Sequence, residues 1–163
     1  MSELVVRIGN QDDVDGIMKL ALAGTEENGF LSPNPVKILH DVWAALSLDN
    51  GIIGIIGERG SEPEGAILLR ISKMWYSDED ILEERAIYIR PEFRNAKGGR
   101  AKRLCAFSRE VSDKLGLPLI IGVLSNHRTE AKVRLYTREF GNPAGAFFLH
   151  GCKTGQLGKA AAE

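Results

Sequence analysis

Cysteine is scarce in this chain, with two thiols, Cys105 and Cys152, standing far apart. Two are too few for a disulfide framework, and neither belongs to a C-x-x-C pair of the kind that begins a zinc site. His150 and Cys152 form an H-x-C pair with no second pair to complete a metal shell, so no metal is expected. Long apolar runs are missing too: nothing approaches the ~20 residues that a membrane helix needs. The opening MSELVVRIGN has an early acid and an alternating pattern, not the basic start and apolar block of a signal segment. We therefore expect a cytoplasmic protein that stays where it is made and meets no membrane. A dinucleotide G-x-G-x-x-G is absent as well. Gly51, Gly54, Gly57 and Gly60 fall in a predicted hairpin strand and do not open a helix.

What is present is ordinary in bulk and uneven in distribution. The 163 residues are 44% hydrophobic and 26% charged, which suits one globular domain over residues 1–163. The net charge of −1 divides into −9 over residues 1–87 and +8 over residues 88–163. Such asymmetry predicts that the second half meets an anion, while the first half faces something cationic.

Hydrophobic period gives the elements. Leu4, Val6 and Ile8 alternate as an opening strand. Asn10 or Asp12 caps a helix carrying Val14, Ile17, Met18, Ala21 and Leu22 at helical spacing, and TEENGFLSPNP is a loop. A second helix runs over residues 36–46. Residues 52–57 and 65–69 read as an antiparallel hairpin, and residues 81–90 as a strand ended by Pro91. A helix over 101–115 stops at Gly116 and buries Cys105 as a small apolar residue. The apolar run at 118–124 reads as a strand buried on both faces, followed by a helix at 128–140 and a last strand at 144–150. The order is β-α-α-β-β-β-α-β-α-β, with a tail from about 155 to 163 expected to fray.

The chemistry concentrates in IYIRPEFRNAKGGRAKRL, residues 87–104. A strand ends at a proline, the loop holds Arg94, Lys97, Gly98, Gly99 and Arg100, and a helix starts at about Ala101. The first turn of a helix offers unpaired N–H groups and the positive end of its dipole. Glycines let the backbone approach a phosphate closely, and nearby Arg and Lys add full charges. A diphosphate fits such a junction. A solvated basic loop with glycines for turn geometry fits the spacing equally well.

The run I-R-P-E-F-R…G-G-R-A-K-R-L, an Asn after the next strand and a later L-Y pair resemble the GCN5-related N-acetyltransferases, the GNAT superfamily. The resemblance spans residues 4–150 in element order and is specific over 87–141. It implies an α/β fold: a mixed, mostly antiparallel central sheet, a parallel splay between the fourth and fifth strands, and helices on both faces. The family's loop pattern, Arg/Gln-x-x-Gly-x-Gly/Ala, wraps the diphosphate of coenzyme A with its amides. Here Gly99, Arg100 and Ala101 fall on its second part, with Lys102 just beyond, while Arg94 lies two residues earlier than the pattern places it. The R-A-K-x-L arrangement is similar to a subgroup, often phage-like, with alanine in place of the second glycine.

The resemblance also implies that acetyl-CoA is the acyl donor, its pantetheine arm pairing with backbone near Ile87 and Ile89 and with Asn126. Tyr136 would be the proton donor to the departing thiolate, and backbone N–H groups near Ile89 would polarise the carbonyl. For the base, Glu83 and Glu84 are adjacent on a strand and point to opposite faces, so at most one meets the cleft. A family carboxylate about six residues before Ile89 favours Glu83. A salt bridge from Glu83 to Arg85, with water as the base, is the other reading. Glu26, Glu27, Asp78, Glu79 and Asp80 lie in segments that the family uses as walls for the acceptor amine.

The expected activity is acetyl transfer to a primary amine of a small molecule or protein by direct attack in a ternary complex, with a homodimer plausible by resemblance. A catalytically silent acyl-CoA-binding protein of the same fold is one alternative. A nucleic-acid-binding module built on the cations of the second half is another, disfavoured by the few aromatics there and by a pI of about 6.3.

Overall fold

The computed structural model describes residues 4–125 and 128–152. Five strands form one sheet in the order β1-β2-β3-β4-β5: β1 (Val6–Ile8), β2 (Gly51–Ile56), β3 (Gly65–Lys73), β4 (Asp80–Ile89) and β5 (Leu119–Ile120). The first four pair antiparallel, and β4 pairs parallel with β5. Helices α1 (Val14–Asn28) and α2 (Pro35–Leu46) cover one face, where Ile17, Leu20, Val42 and Leu46 pack on Ile53, Ile55 and Ala66. Helix α3 (Arg100–Leu115) covers the other, where Leu104 and Val111 meet Ile56, Ile67, Leu69 and Leu82. Helix α4 (Thr129–Phe140) follows and packs against α3. This is the expected mixed sheet with a parallel splay between the fourth and fifth strands.

Local chemistry explains the boundaries. Asn34 accepts hydrogen bonds from the N–H groups of Val36 and Lys37 at 3.0 and 3.3 Å, and Pro35 fills the first helical position of α2. Asn10 and Asp13 form a reciprocal capping box on a short 3-10 turn leading into α1. Gly54 lets α3 approach β2 closely: a Cβ there would lie 2.6 Å from the Phe107 ring. Helix α1 runs to Asn28, so Thr25, Glu26 and Glu27 are helical and not in the expected loop.

Two strand expectations are corrected. Residues 118–124 are not a strand buried on both faces: pairing stops after two residues, and Ile120 and Leu124 are exposed. Residues 144–150 form no strand, and Phe148 is 93% exposed. An apolar sequence becomes a strand only where a neighbouring edge takes its backbone hydrogen bonds. Among the described residues no strand pairs with 121–124 or 144–150. The tail expected to fray lies outside the described residues.

Candidate active site at the splay of β4 and β5

Strands β4 and β5 touch only at their beginnings. Leu82 opposes Leu119 and Glu83 opposes Ile120; beyond this the two diverge. Ile87 and Ile89 lie on the diverging part. The Arg90 N–H donates to the Glu64 carbonyl on the β3 side at 2.9 Å. Backbone groups alternate across a strand, so the N–H groups of Ile89 and Ile87 face the wedge. These are the positions expected to meet a pantetheine arm.

A bulge in β4 decides which carboxylate enters the site. Leu68 opposes Ala86 while Leu69 opposes Glu84, leaving Arg85 as an extra residue. The bulge reverses side-chain parity, so Leu82 and Glu84 share the α3 face with Ile87 and Ile89. Glu83 faces the other way. Its carboxylate accepts from the Ser72 hydroxyl at 2.9 Å and lies 3.4 Å from the Arg85 guanidinium. Counting six residues back from Ile89 to Glu83 crosses the bulge, which puts Glu83 on the face opposite Ile89. Glu84 is the half-buried carboxylate among apolar neighbours, opposite Leu69. Burial pushes its acid up to about 7 and Glu83 adds to this, while the Gly122 N–H, 3.4 Å away, and Lys132 act against it.

Tyr136 stands on α4 with its ring edge-to-face on Phe140, 5.9 Å between centroids. Burial, then the charges of Glu84 and Cys105, raise its phenol well above the ordinary value, so it stays protonated. One turn earlier, Lys132 donates to the Ser125 hydroxyl at 2.7 Å, and burial lowers its ammonium. Cys105 is buried on α3 and its thiol is pushed up to about 12 by burial, so it is inert.

At the start of α3 the backbone is bare. Gly98 and Gly99 have φ of +118° and +60°. No side chain caps the helix and no acid stands in its first turn. The amides of Arg100, Ala101 and Lys102 precede the first intrahelical bond there, Arg103 N–H to the Gly99 carbonyl at 3.0 Å. Lys97 and Lys102 are exposed beside them. Two expected side-chain ligands point elsewhere. Arg100 is 9% exposed and turns inward, its Nε donating to Glu64 at 2.9 Å and its Nη1 to the Lys97 carbonyl. Arg94 is clamped by Glu27 in a two-pronged pair at 2.8 and 2.5 Å. Both guanidiniums are thus engaged within the chain by acids of the first half. Asn126 lies outside the described residues.

The expected acidic wall divides. Glu26 and Glu27 end α1 beside the loop after β4, whereas Asp78, Glu79 and Asp80 lie at the opposite end of β4, roughly 30 Å away for a ten-residue strand. A cavity of about 360 Å³ lined by Ile52, Ile71, Phe107, Val111 and Leu115 sits under the far end of α3, and none of the candidate site residues lines it. Among the described residues no group of three potential ligands could hold a metal, and no helix is long and apolar enough to cross a membrane.

No family model matches the chain, nor does any curated protein. Solved structures do. An integron cassette protein from the mobile metagenome of Cole Harbour Salt Marsh is 21% identical, covering 91% of this chain and 90% of its own, with a TM-score of 0.66. The aminoglycoside N-acetyltransferase AAC(6')-Iy, solved with the bisubstrate analogue CoA-S-monomethyl-acetylneamine, is 16% identical with a TM-score of 0.66 and coverage of 91% and 97%. An acetyltransferase of Trypanosoma brucei is 17% identical with a TM-score of 0.62 and coverage of 91% and 98%. The mixed sheet, the splay after Glu83 and the bare start of α3 sit on a shared architecture: this chain has the GNAT fold.

Proposed function

We propose that the protein is an acetyl-CoA-dependent N-acetyltransferase acting on a primary amine. One juxtaposition carries the reading: β4 and β5 pair only at Leu82 and Glu83, α3 begins with uncapped amides, and the carboxylic acid of Glu84 acts electrostatically on the phenol of Tyr136. The coenzyme A complex of the similarly folded aminoglycoside N-acetyltransferase supports the same choice of donor.

The roles follow from this geometry. The amides of Arg100, Ala101 and Lys102 hold the diphosphate, with Lys97 and Lys102 supplying charge and Gly98 and Gly99 allowing close approach. The edge of β4 at Ile87 and Ile89 pairs with the pantetheine, and an N–H there polarises the thioester carbonyl. Glu84 takes a proton from the incoming amine, whose nitrogen forms the new C–N bond. As the C–S bond breaks, Tyr136 donates its proton to the departing thiolate. An acid that titrates near 7 is matched to the first task, and a phenol still protonated at neutral pH to the second. Asn126, outside the described residues, is included in the proposed cofactor site on the resemblance alone. The same reading includes a single domain, cytoplasmic placement and a homodimer, the last tested by size-exclusion chromatography.

The deciding experiment is release of free thiol from acetyl-CoA over a panel of amines. We expect turnover with at least one amine and a loss of about a hundredfold in kcat for Tyr136→Phe, with coenzyme A affinity kept. Coenzyme A binding without turnover on any amine would instead establish the silent acyl-CoA-binding alternative.

A further inference from the structure

Arg94 is the residue whose surroundings are most fully specified and least explained by cofactor binding. Its Nε donates to the Ile89 carbonyl at 2.8 Å, at the end of β4. Its two Nη groups grip both carboxylate oxygens of Glu27 in the last turn of α1. Its guanidinium lies 5.1 Å from the centre of the Tyr88 ring, and α1 packs closely on that ring at Gly24. Both partners are largely sequestered, with side-chain exposures of 17% and 23%. A planar guanidinium committed on three nitrogens and stacked on an aromatic ring is a rigid bracket.

We propose that Arg94 is a positioning residue that fixes the end of α1 to the end of β4, holding acceptor and thioester in register, and that it does not bind the diphosphate. This rests on the acetyltransferase reading, in which the end of α1 walls the acceptor side and Ile89 borders the thioester. Small misplacements of two reacting groups cost rate far more than they cost affinity. The Glu27–Arg94 pair therefore acts on kcat.

The test compares Arg94→Lys, Glu27→Gln and the exchanged pair Glu27→Arg/Arg94→Glu, using acetyl-CoA and acetyl-pantetheine, which lacks the diphosphate. Both single variants should lose about tenfold in kcat, equally on the two donors, with KM for acetyl-CoA unchanged. Combining Arg94→Lys with Glu27→Gln should cost no more than either alone, and the exchanged pair should recover part of the rate. A loss confined to acetyl-CoA and to the Arg94 variant would show a diphosphate ligand and overturn the inference. So would a fall in melting temperature with unchanged kcat per folded molecule, or no effect at all. If the wild type binds coenzyme A without turnover on any amine, the acetyltransferase reading fails and the inference falls with it, an outcome distinct from an active wild type whose variants keep full kcat. A wild type that binds no coenzyme A removes the functional reading, and the inference falls with it.

Discussion

Glu84 carries the clearest consequences of its surroundings. Its acid titrates near 7 in the folded chain against an ordinary 4.5. The folded state therefore holds a proton that the unfolded state releases between those values, and the contribution to stability present below about 4.5 is lost as pH rises through 7. Glu84→Gln should flatten that decline, so its melting temperature should exceed that of the wild type at pH 8 and approach it at pH 5. In the proposed reaction the sign is opposite, because a base works only when ionised. The kcat/KM of the wild type should rise through pH 7, and Glu84→Gln should lose that limb along with roughly 10² to 10⁴ in rate. Glu83→Gln, which removes a carboxylate bonded to Ser72 on the other face, should leave the pH profile in place. The sequence shows two adjacent glutamates but not the bulge at Arg85 that chooses between them. A bulge reflects how β3 and β4 register against each other, and no local residue pattern announces it.

Among the elements, the helices and the first hairpin were legible because caps and periods act locally. Asn34, Pro35 and Gly116 sit where α2 begins and α3 ends. The run at 118–124, paired only at Leu119 and Ile120, and the run at 144–150 misled because an apolar run says what wants burial and not which edge will take it. The start of α3 was legible in its glycines and misleading in its arginines, since spacing cannot reveal that Arg94 and Arg100 turn toward Glu27 and Glu64. In the proposed function the amides carry the anion site, which makes Gly99 the informative position. Its φ is +60°, and a Cβ added there would meet open space except for Lys102 at 3.8 Å. Gly99→Asp therefore costs about 1–2 kcal/mol in backbone strain without disturbing the core. Its carboxylate would face the place of the diphosphate. Calorimetry should find coenzyme A binding lost while circular dichroism stays that of the wild type.

For the whole molecule, the opposed charges of the two halves find each other across the fold. Glu27 meets Arg94, Glu64 meets Arg100, and Glu62 meets Arg90. Much of the asymmetry that suggested an external anion is thus answered internally, and these arginines are folded in rather than free to track a nucleic-acid backbone. Acetyl-CoA at about a hundredfold over its dissociation constant should stabilise the protein by ~2.7 kcal/mol, read as a rise in melting temperature. An oligonucleotide at the same concentration should give no rise. The cross-chain pairing also orders events during synthesis. The first 87 residues leave the ribosome carrying −9, and Glu27 and Glu64 meet their arginines only after residues 94 and 100 have followed. The nascent first half is a polyanion awaiting its counter-charges, and the loop proposed to hold an anion is also the segment that delivers them.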